Sequence, residues 1–142
     1  LYTGGWPQGI TVDVVGAHYD ATIPVQDTLG LGSASPTGNG QLHFAGGKLA
    51  SDVLVTDFNI TGNTAAKLPP TNRSFTLSFT PATGAFKGTF TPNWEDKARA
   101  LPVFQGILIQ KGASQGGYGW FQSNRVGDLD PEAGGVTLGA QE

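Results

Sequence analysis

The sequence contains no cysteine among its 142 residues. That absence excludes disulfides, thiolate metal sites and cysteine nucleophiles together. Only two histidines are present, His18 and His43, and no HxH or HExxH spacing occurs. A zinc site would need both histidines together with a carboxylate such as Asp20. We therefore expect two unrelated histidines and no cofactor.

Charged side chains are also scarce, at 13% of the residues, which is about half the usual share. This composition excludes a helical bundle or coiled coil. Eight basic residues against eleven acidic ones leave no electrostatic footprint for nucleic acid. No apolar run approaches the length of about 18 residues that a membrane helix needs. Neither nucleic acid nor membrane insertion is therefore expected.

Glycine is abundant instead, at 22 residues, and short alternating segments dominate the chain. Turn signals recur every 8–12 residues or so, a spacing typical of antiparallel sandwiches and barrels. The length suits one domain over residues 1–142. We predict an all-β fold, an antiparallel β-sandwich or barrel of about eight to ten short strands.

The clearest hairpin joins residues 75–79 to residues 86–90. Phenylalanine and leucine alternate with threonine and serine in the first segment, and the intervening Pro-Ala-Thr-Gly suits a type I turn. Gly88 lies between Phe86 and Phe90 on the packed face, so it either makes room for a large side chain or marks a bulge. The pattern recurs at Phe104 and Gly106. The two copies are either neighbouring strands with stacked glycines or similar solutions to crowding.

Other segments are assigned more briefly. Further strands are predicted at residues 10–14, 41–44 with 48–49 around a tight turn, 53–60, 103–110, which is the most apolar, and 118–121 with 135–138. Residues 94–100 predict at most a helical turn, which Pro102 ends. Loops are predicted at residues 30–40, 62–71 and 112–117.

Catalytic constellations are not found. No serine lies in G-x-S-x-G, and the adjacent Glu95 and Asp96 would diverge rather than face each other across a cleft. We therefore expect no enzyme. The densest acidic cluster is Asp128, Asp130 and Glu132, whose alternation on one loop could hold a hard cation such as Ca²⁺. The alternative is a plain acidic turn.

Three aromatic side chains are candidates for stacking on sugar rings: Trp94, Trp120 and Tyr118. Trp94 lies in a polar loop and is the best candidate for exposure. Trp120 is followed by Phe121, and at least one of these two should be in the core. Large aromatic residues in β proteins more often pack in the core than bind a ligand.

Several motifs follow one another in a recognisable order. They are Gly16-x-x-Tyr19-Asp20, Leu42-x-Phe44-x-Gly46-Gly47-x-Leu49, Phe75 to Phe90 with its glycines, Phe104-x-Gly106 continuing to Lys111, and Gly117-Tyr118-Gly119-Trp120-Phe121. This order resembles a β-rich module of very large secreted or cell-surface bacterial proteins. The resemblance implies an extracellular structural or adhesive role and carries over no catalytic residue. Residues 93–100 and the tail after Gly127 depart from the pattern.

Two functions from different classes follow. The first is a non-enzymatic extracellular or cell-surface module, structural or adhesive, that self-assembles by β-strand addition. Residues 1–15 are strand-like without an obvious hairpin partner, so they could exchange between subunits. Its partners would be copies of itself or neighbouring domains of a larger chain. The alternative is a carbohydrate-binding module, with glycans as partners, that uses exposed tryptophan and tyrosine.

Overall fold

A computed structural model describes residues 11, 14–96, 100–127 and 129–141. These residues form nine strands and one short helix. In chain order the elements are α1 (Val25–Thr28), β1 (Gly40–Gly46), β2 (Val53–Val55), β3 (Phe58–Thr61), β4 (Thr64–Lys67), β5 (Phe75–Thr80), β6 (Ala85–Phe90), β7 (Val103–Ile109), β8 (Gly116–Gln122) and β9 (Ala133–Ala140).

Seven of the strands form one curled antiparallel sheet in the order β2-β1-β9-β8-β7-β6-β5. The hairpin of β3 and β4 forms a separate two-stranded sheet. The predicted all-β class is thus confirmed. The arrangement differs from a sandwich of two comparable sheets, because one curled sheet supplies most of the core and the β3–β4 hairpin packs against it.

The predicted hairpin of residues 75–90 is confirmed as β5 and β6, with Phe79 opposite Phe86 and Phe75 opposite Phe90. The two phenylalanine–glycine segments are neighbouring strands, β6 and β7. Their glycines do not stack on one another, because Gly88 lies opposite Phe104 and Phe86 lies opposite Gly106.

The core consists largely of phenylalanine rings on the concave face of the sheet. Phe44 stacks on Phe90 with ring centroids 3.9 Å apart. Phe121 meets Phe90 edge to face at 5.0 Å, and Phe104 meets Phe44 in the same way at 5.1 Å. Such geometries add a favourable quadrupole term to the burial of each ring. The central strands of the large sheet therefore present one face to this cluster and the other face to solvent, whereas β3 is buried on both faces.

The β3–β4 hairpin joins the sheet through a side chain. Asn39, just before β1, accepts the N–H of Ile60 at 2.7 Å and donates to the Ile60 carbonyl at 2.9 Å. Its carboxamide thus pairs with β3 as a neighbouring strand would. The expected single strand at residues 53–60 is wrong, since it divides into β2 and β3 in different sheets. The expected loop at residues 62–71 is also wrong in part, since it contains β4.

Two further strand pairings differ in detail from those predicted. The strand that returns after β1 is β2 rather than residues 48–49, with Phe44 opposite Val53. The predicted pair of residues 118–121 and 135–138 is confirmed as β8 and β9, although β8 begins within the expected loop 112–117.

The helical content is minimal, as expected. In the described ranges α1 is the only helix, and none has the length and apolarity to cross a bilayer. Residues 94–96 form no helix, and residues 97–99 lie outside the described residues. The predicted strand at residues 10–14 and the exchange segment 1–15 also lie outside them, apart from residues 11, 14 and 15.

Candidate functional site

Trp120 and Tyr118 lie together on the convex, solvent-facing side of β8. They alternate with the inward-facing Gly117, Gly119 and Phe121, so period two places both on one face. Trp120 is 50% exposed and Tyr118 is 42% exposed, while Phe121 is fully buried. Two residues of extended strand separate the two aromatic side chains by about 7 Å. The structure thus brings together two of the three predicted aromatic residues.

Strand β7 supplies the neighbouring side chains of this surface. Gln105 lies opposite Trp120, and Ile107 lies opposite Tyr118. Ile107 and Val103 are exposed by 55% and 63%. On the other side, β9 presents Gly135 opposite Trp120, and a Cβ at Gly135 would meet no atom within 4 Å. The indole therefore has a carboxamide on one side and open space on the other.

The polar groups around the indole have unused hydrogen-bonding capacity. In the described part of the chain, neither the Gln105 nor the Gln122 side chain forms a hydrogen bond, and the indole N–H of Trp120 forms none. A carboxamide offers two donor hydrogens and one acceptor oxygen. The surface can therefore pair donors and acceptors of a ligand without breaking bonds inside the protein.

A surface cavity of about 570 Å³ adjoins Trp120 at the end of β8. Its lining includes Gln105, Gln122, Asn124 and Arg125. Arg125 forms an ion pair with Asp96, with Nη1 and Oδ2 3.1 Å apart. Arg125 is the only charged residue among the described residues that line the cavity, and its charge is offset by Asp96. The cavity therefore suits an uncharged ligand with polar groups.

The expectation that Trp94 is exposed is wrong. Trp94 is only 8% exposed, and its indole N–H donates to the Gly47 carbonyl at 3.0 Å. The preceding Asn93 fixes the loop, since its amide donates to the Ser51 carbonyl at 2.9 Å and to the Ser51 hydroxyl at 2.8 Å. The polar loop thus folds back on the β1–β2 connection and buries the indole. Trp94 does not lie on the face of Trp120.

The predicted calcium cluster is described only in part. Asp128 lies outside the described residues. The main-chain carbonyl of Asp130 accepts a hydrogen bond from Lys48, and the Glu132 N–H donates to the Ser123 hydroxyl at 2.8 Å. Within the described ranges no group of three or more histidine, aspartate or glutamate residues could hold a metal. The calcium site remains a prediction.

The two histidines do not lie together, and only His43 lies on the face of the aromatic pair, in one row with Tyr118 on the other side of Thr137. His43 points outward from β1 and contacts Asp52, with Nε2 and Oδ2 3.0 Å apart, whereas His18 is exposed in the segment before α1. Near His18, the hydroxyl and N–H of Thr22 hydrogen-bond Asp20 and lower the pKa of that carboxyl. These contacts are those of an exposed turn and a surface hydrogen bond.

Sequence reasoning missed the polar and aliphatic partners of the aromatic pair. Residues 103–110 read as the most apolar strand, but Phe104, Gly106 and Leu108 face the core. The same alternation turns Val103, Gln105 and Ile107 to solvent. The available signal was the shared period of two in residues 103–108 and 117–122. It becomes informative only when β7 and β8 are known to be neighbours.

Comparisons with known proteins found no match to this chain among protein-family models, curated proteins or solved structures. The resemblance to the β-rich surface module therefore stays a prediction, and the candidate site rests on its own geometry.

Proposed function

We propose that this protein is a non-enzymatic, extracellular adhesive module that binds carbohydrate through the outward face of β7 and β8. The observation that carries the proposal is the pair Trp120 and Tyr118, exposed side by side next to the unpaired carboxamide of Gln105. Non-enzymatic and extracellular roles are supported by the low charge, the glycine-rich strands and the motif resemblance.

Sugar rings suit this combination of groups. Their C–H faces are apolar and stack on aromatic rings, while their hydroxyls need hydrogen-bond donors and acceptors around the edge. Trp120 and Tyr118 are large and rigid and bear polar atoms, so they contribute contact area with little loss of side-chain entropy. Gln105 and Gln122 flank the indole and bear free carboxamides. The exposed Val103 and Ile107 extend the apolar surface.

The test is retention on immobilised polysaccharides and a glycan array, with Trp120→Ala and Tyr118→Ala as variants. Both should reduce retention by about tenfold or more and lower the melting temperature far less than removal of a core ring, because about half of each side chain is exposed to solvent. Leu54→Ala is the matched control, since Leu54 is an exposed apolar residue on the outward face of β2. An array without hits, or full retention by the Trp120 variant, would contradict the proposal.

One observation favours a second role, assembly by strand addition. The large sheet ends at β5, and no strand in the described ranges hydrogen-bonds its outer edge. The β4 strand lies beside it across a cavity of about 270 Å³. A six-residue edge is long enough to pair with a strand from another copy. Light scattering after size exclusion checks this: a monomer at all concentrations, unchanged by deletion of residues 1–15, would rule it out.

A further inference from the structure

Three surface cavities lie end to end along β8. The cavity of about 570 Å³ shares Gln105 and Trp120 with a second of about 290 Å³, and the second shares Tyr118 with a third of about 380 Å³. Together they form what we call the β8 groove, which extends from Arg125 at one end to Gln115 at the other. Since β8 has seven residues, its length is about 20 Å. That length exceeds a single sugar ring several times.

The groove is flat over β9, which lies beside β8 in the sheet. The β9 residues that face outward beside the aromatic pair are Gly135, Thr137 and Gly139. A Cβ at Gly135 or Gly139 would meet nothing within 4 Å. Since no large side chain crosses the groove there, an extended ligand can continue past both aromatic rings.

The described lining of the groove carries little charge. Among the described residues that line the three cavities, Arg125 alone is charged, and Asp96 pairs with it. The polar lining groups are neutral: Gln41, Gln105, Gln115, Gln122, Asn124, Ser123 and Thr137. At the described lining, a polyanion would lose hydration without gaining an unpaired cation, whereas a neutral chain loses less.

We propose that the β8 groove binds a linear, uncharged polysaccharide lengthwise, with successive units passing over Trp120 and Tyr118. This inference rests on the proposed function and specifies its ligand. An extended peptide is the poorer occupant, because its N–H and C=O groups pair with a free sheet edge, whereas the groove lies on a sheet face. A second copy of this chain is the other occupant that the test below distinguishes.

The experiment is calorimetric titration with neutral oligosaccharides of one to six units. The series are β-1,4-linked glucose, xylose and mannose, and polygalacturonate is the acidic comparison. For the neutral series that binds, affinity should increase about tenfold from two units to six, since added units reach further contacts. Equal affinity for two and six units, together with loss of binding in Trp120→Ala, would overturn the groove and leave the proposed function standing. Absence of binding by every neutral series, polymers included, would overturn both.

A blocking variant tests the far end of the groove. Gly139→Tyr places a ring into the third cavity, where the structure leaves open space. It should weaken binding of the six-unit ligand by about fivefold and leave the two-unit ligand nearly unchanged. Ser78→Tyr is the control, because Ser78 is exposed on the same sheet but on β5, away from the groove. Equal effects of Gly139→Tyr on both ligands would contradict lengthwise binding.

Two further results would assign the groove differently. Tighter binding of polygalacturonate than of any neutral chain would overturn the inference about charge. A dimer that dissociates on Trp120→Ala, detected by sedimentation, would assign the face to a second copy of the chain instead.

Discussion

The ring of Phe104 occupies the space that a side chain at Gly88 would need. A Cβ built on Gly88 would lie 2.6 Å from Cζ of Phe104 and 1.9 Å from the Thr76 carbonyl oxygen. The reverse arrangement occurs elsewhere along the same two strands, where the glycine is on β7 and the phenylalanine on β6. A Cβ on Gly106 would lie 2.4 Å from Cζ of Phe86. Each phenylalanine thus lies over the glycine of the neighbouring strand. The repeated phenylalanine–glycine pattern is a device for packing large rings on a curled sheet.

Gly88→Ala is therefore expected to destabilise the protein. The added methyl group conflicts with main-chain atoms of Thr76, which cannot move aside as a flexible side chain would. Overpacking of this kind costs about 1–3 kcal/mol or somewhat more. Chemical denaturation with urea gives the free energy of unfolding that checks this.

Gly139→Ala is the matched control for that measurement. Gly139 also lies in a strand of the large sheet, but its Cβ would meet nothing within 4 Å. The free energy of unfolding of Gly139→Ala should differ from that of the parent by less than about 1 kcal/mol. The reduced entropy of the unfolded chain favours a small increase. Equal losses in both variants would contradict the steric account of Gly88.

Trp94→Ala is expected to reduce stability without a specific effect on sugar binding. The side chain is buried, and its indole N–H donates to the Gly47 carbonyl. Removing such a side chain costs about 3–5 kcal/mol. Thermal unfolding of this variant beside Trp120→Ala checks the assignment of core and surface roles. A Trp94 variant with the parent's melting temperature would contradict it.

Asn39→Ala should weaken the attachment of the β3–β4 hairpin to the large sheet, where the main-chain bond of Asn39 to Phe58 and the buried Phe58 ring remain. The Asn39 carboxamide makes both hydrogen bonds to the main chain of Ile60, and its amide also donates to the Gly32 carbonyl at 2.8 Å. Each buried group left without a partner costs about 1–3 kcal/mol. Hydrogen exchange should show faster exchange at the Ile60 amide than in the parent.

Asn72→Ala provides the comparison for Asn39. Asn72 accepts hydrogen bonds from the Ser74 N–H and hydroxyl, but those contacts are exposed to solvent. Water can replace them, so the loss should be well below that of Asn39→Ala. If the two variants lose the same stability, the strand-like role of Asn39 is wrong.

Sequence analysis could predict features that depend on local residues, such as the hairpin of residues 75–90. It could not predict features that depend on distant partners, such as the contacts of Trp94 and Asn39. The register of the β5–β6 hairpin is determined by local alternation and by a four-residue turn, so the sequence predicts it. The burial of Trp94 depends on Gly47, which is 47 positions away. The division of residues 53–60 depends on Asn39. Such long-range partners leave no local period to detect.

The same distinction applies to the candidate site. The sequence predicts that at least one of Trp120 and Phe121 is in the core, and the structure shows that Phe121 is the buried one. The pairing of Trp120 with Gln105 requires the neighbour relation between β7 and β8. Residue type therefore identified two of the exposed aromatic residues, whereas sheet topology was needed to separate them from Trp94 and to assemble the groove.

Tyr19→Phe is expected to preserve or slightly increase stability at neutral pH. The Tyr19 hydroxyl is buried, and it has no hydrogen-bond partner among the described residues. Burial, with a smaller contribution from the Asp20 carboxylate, raises the pKa of Tyr19 above its ordinary value of 10.0. Phenylalanine retains the ring beside Gly84 and removes the unpaired donor, so little stability is lost.

At alkaline pH, the free energies of unfolding of the parent and of Tyr19→Phe should differ. Because the folded-state pKa of Tyr19 is the higher one, the unfolded chain loses the phenol proton first, and stability falls as the pH rises beyond about 10. Tyr19→Phe lacks this contribution, so its free energy of unfolding should decline less between about pH 9 and 11. Urea denaturation across that range measures the difference, and the groups common to both proteins cancel. Parallel curves would show that the phenol ionises equally well in the folded and unfolded chain.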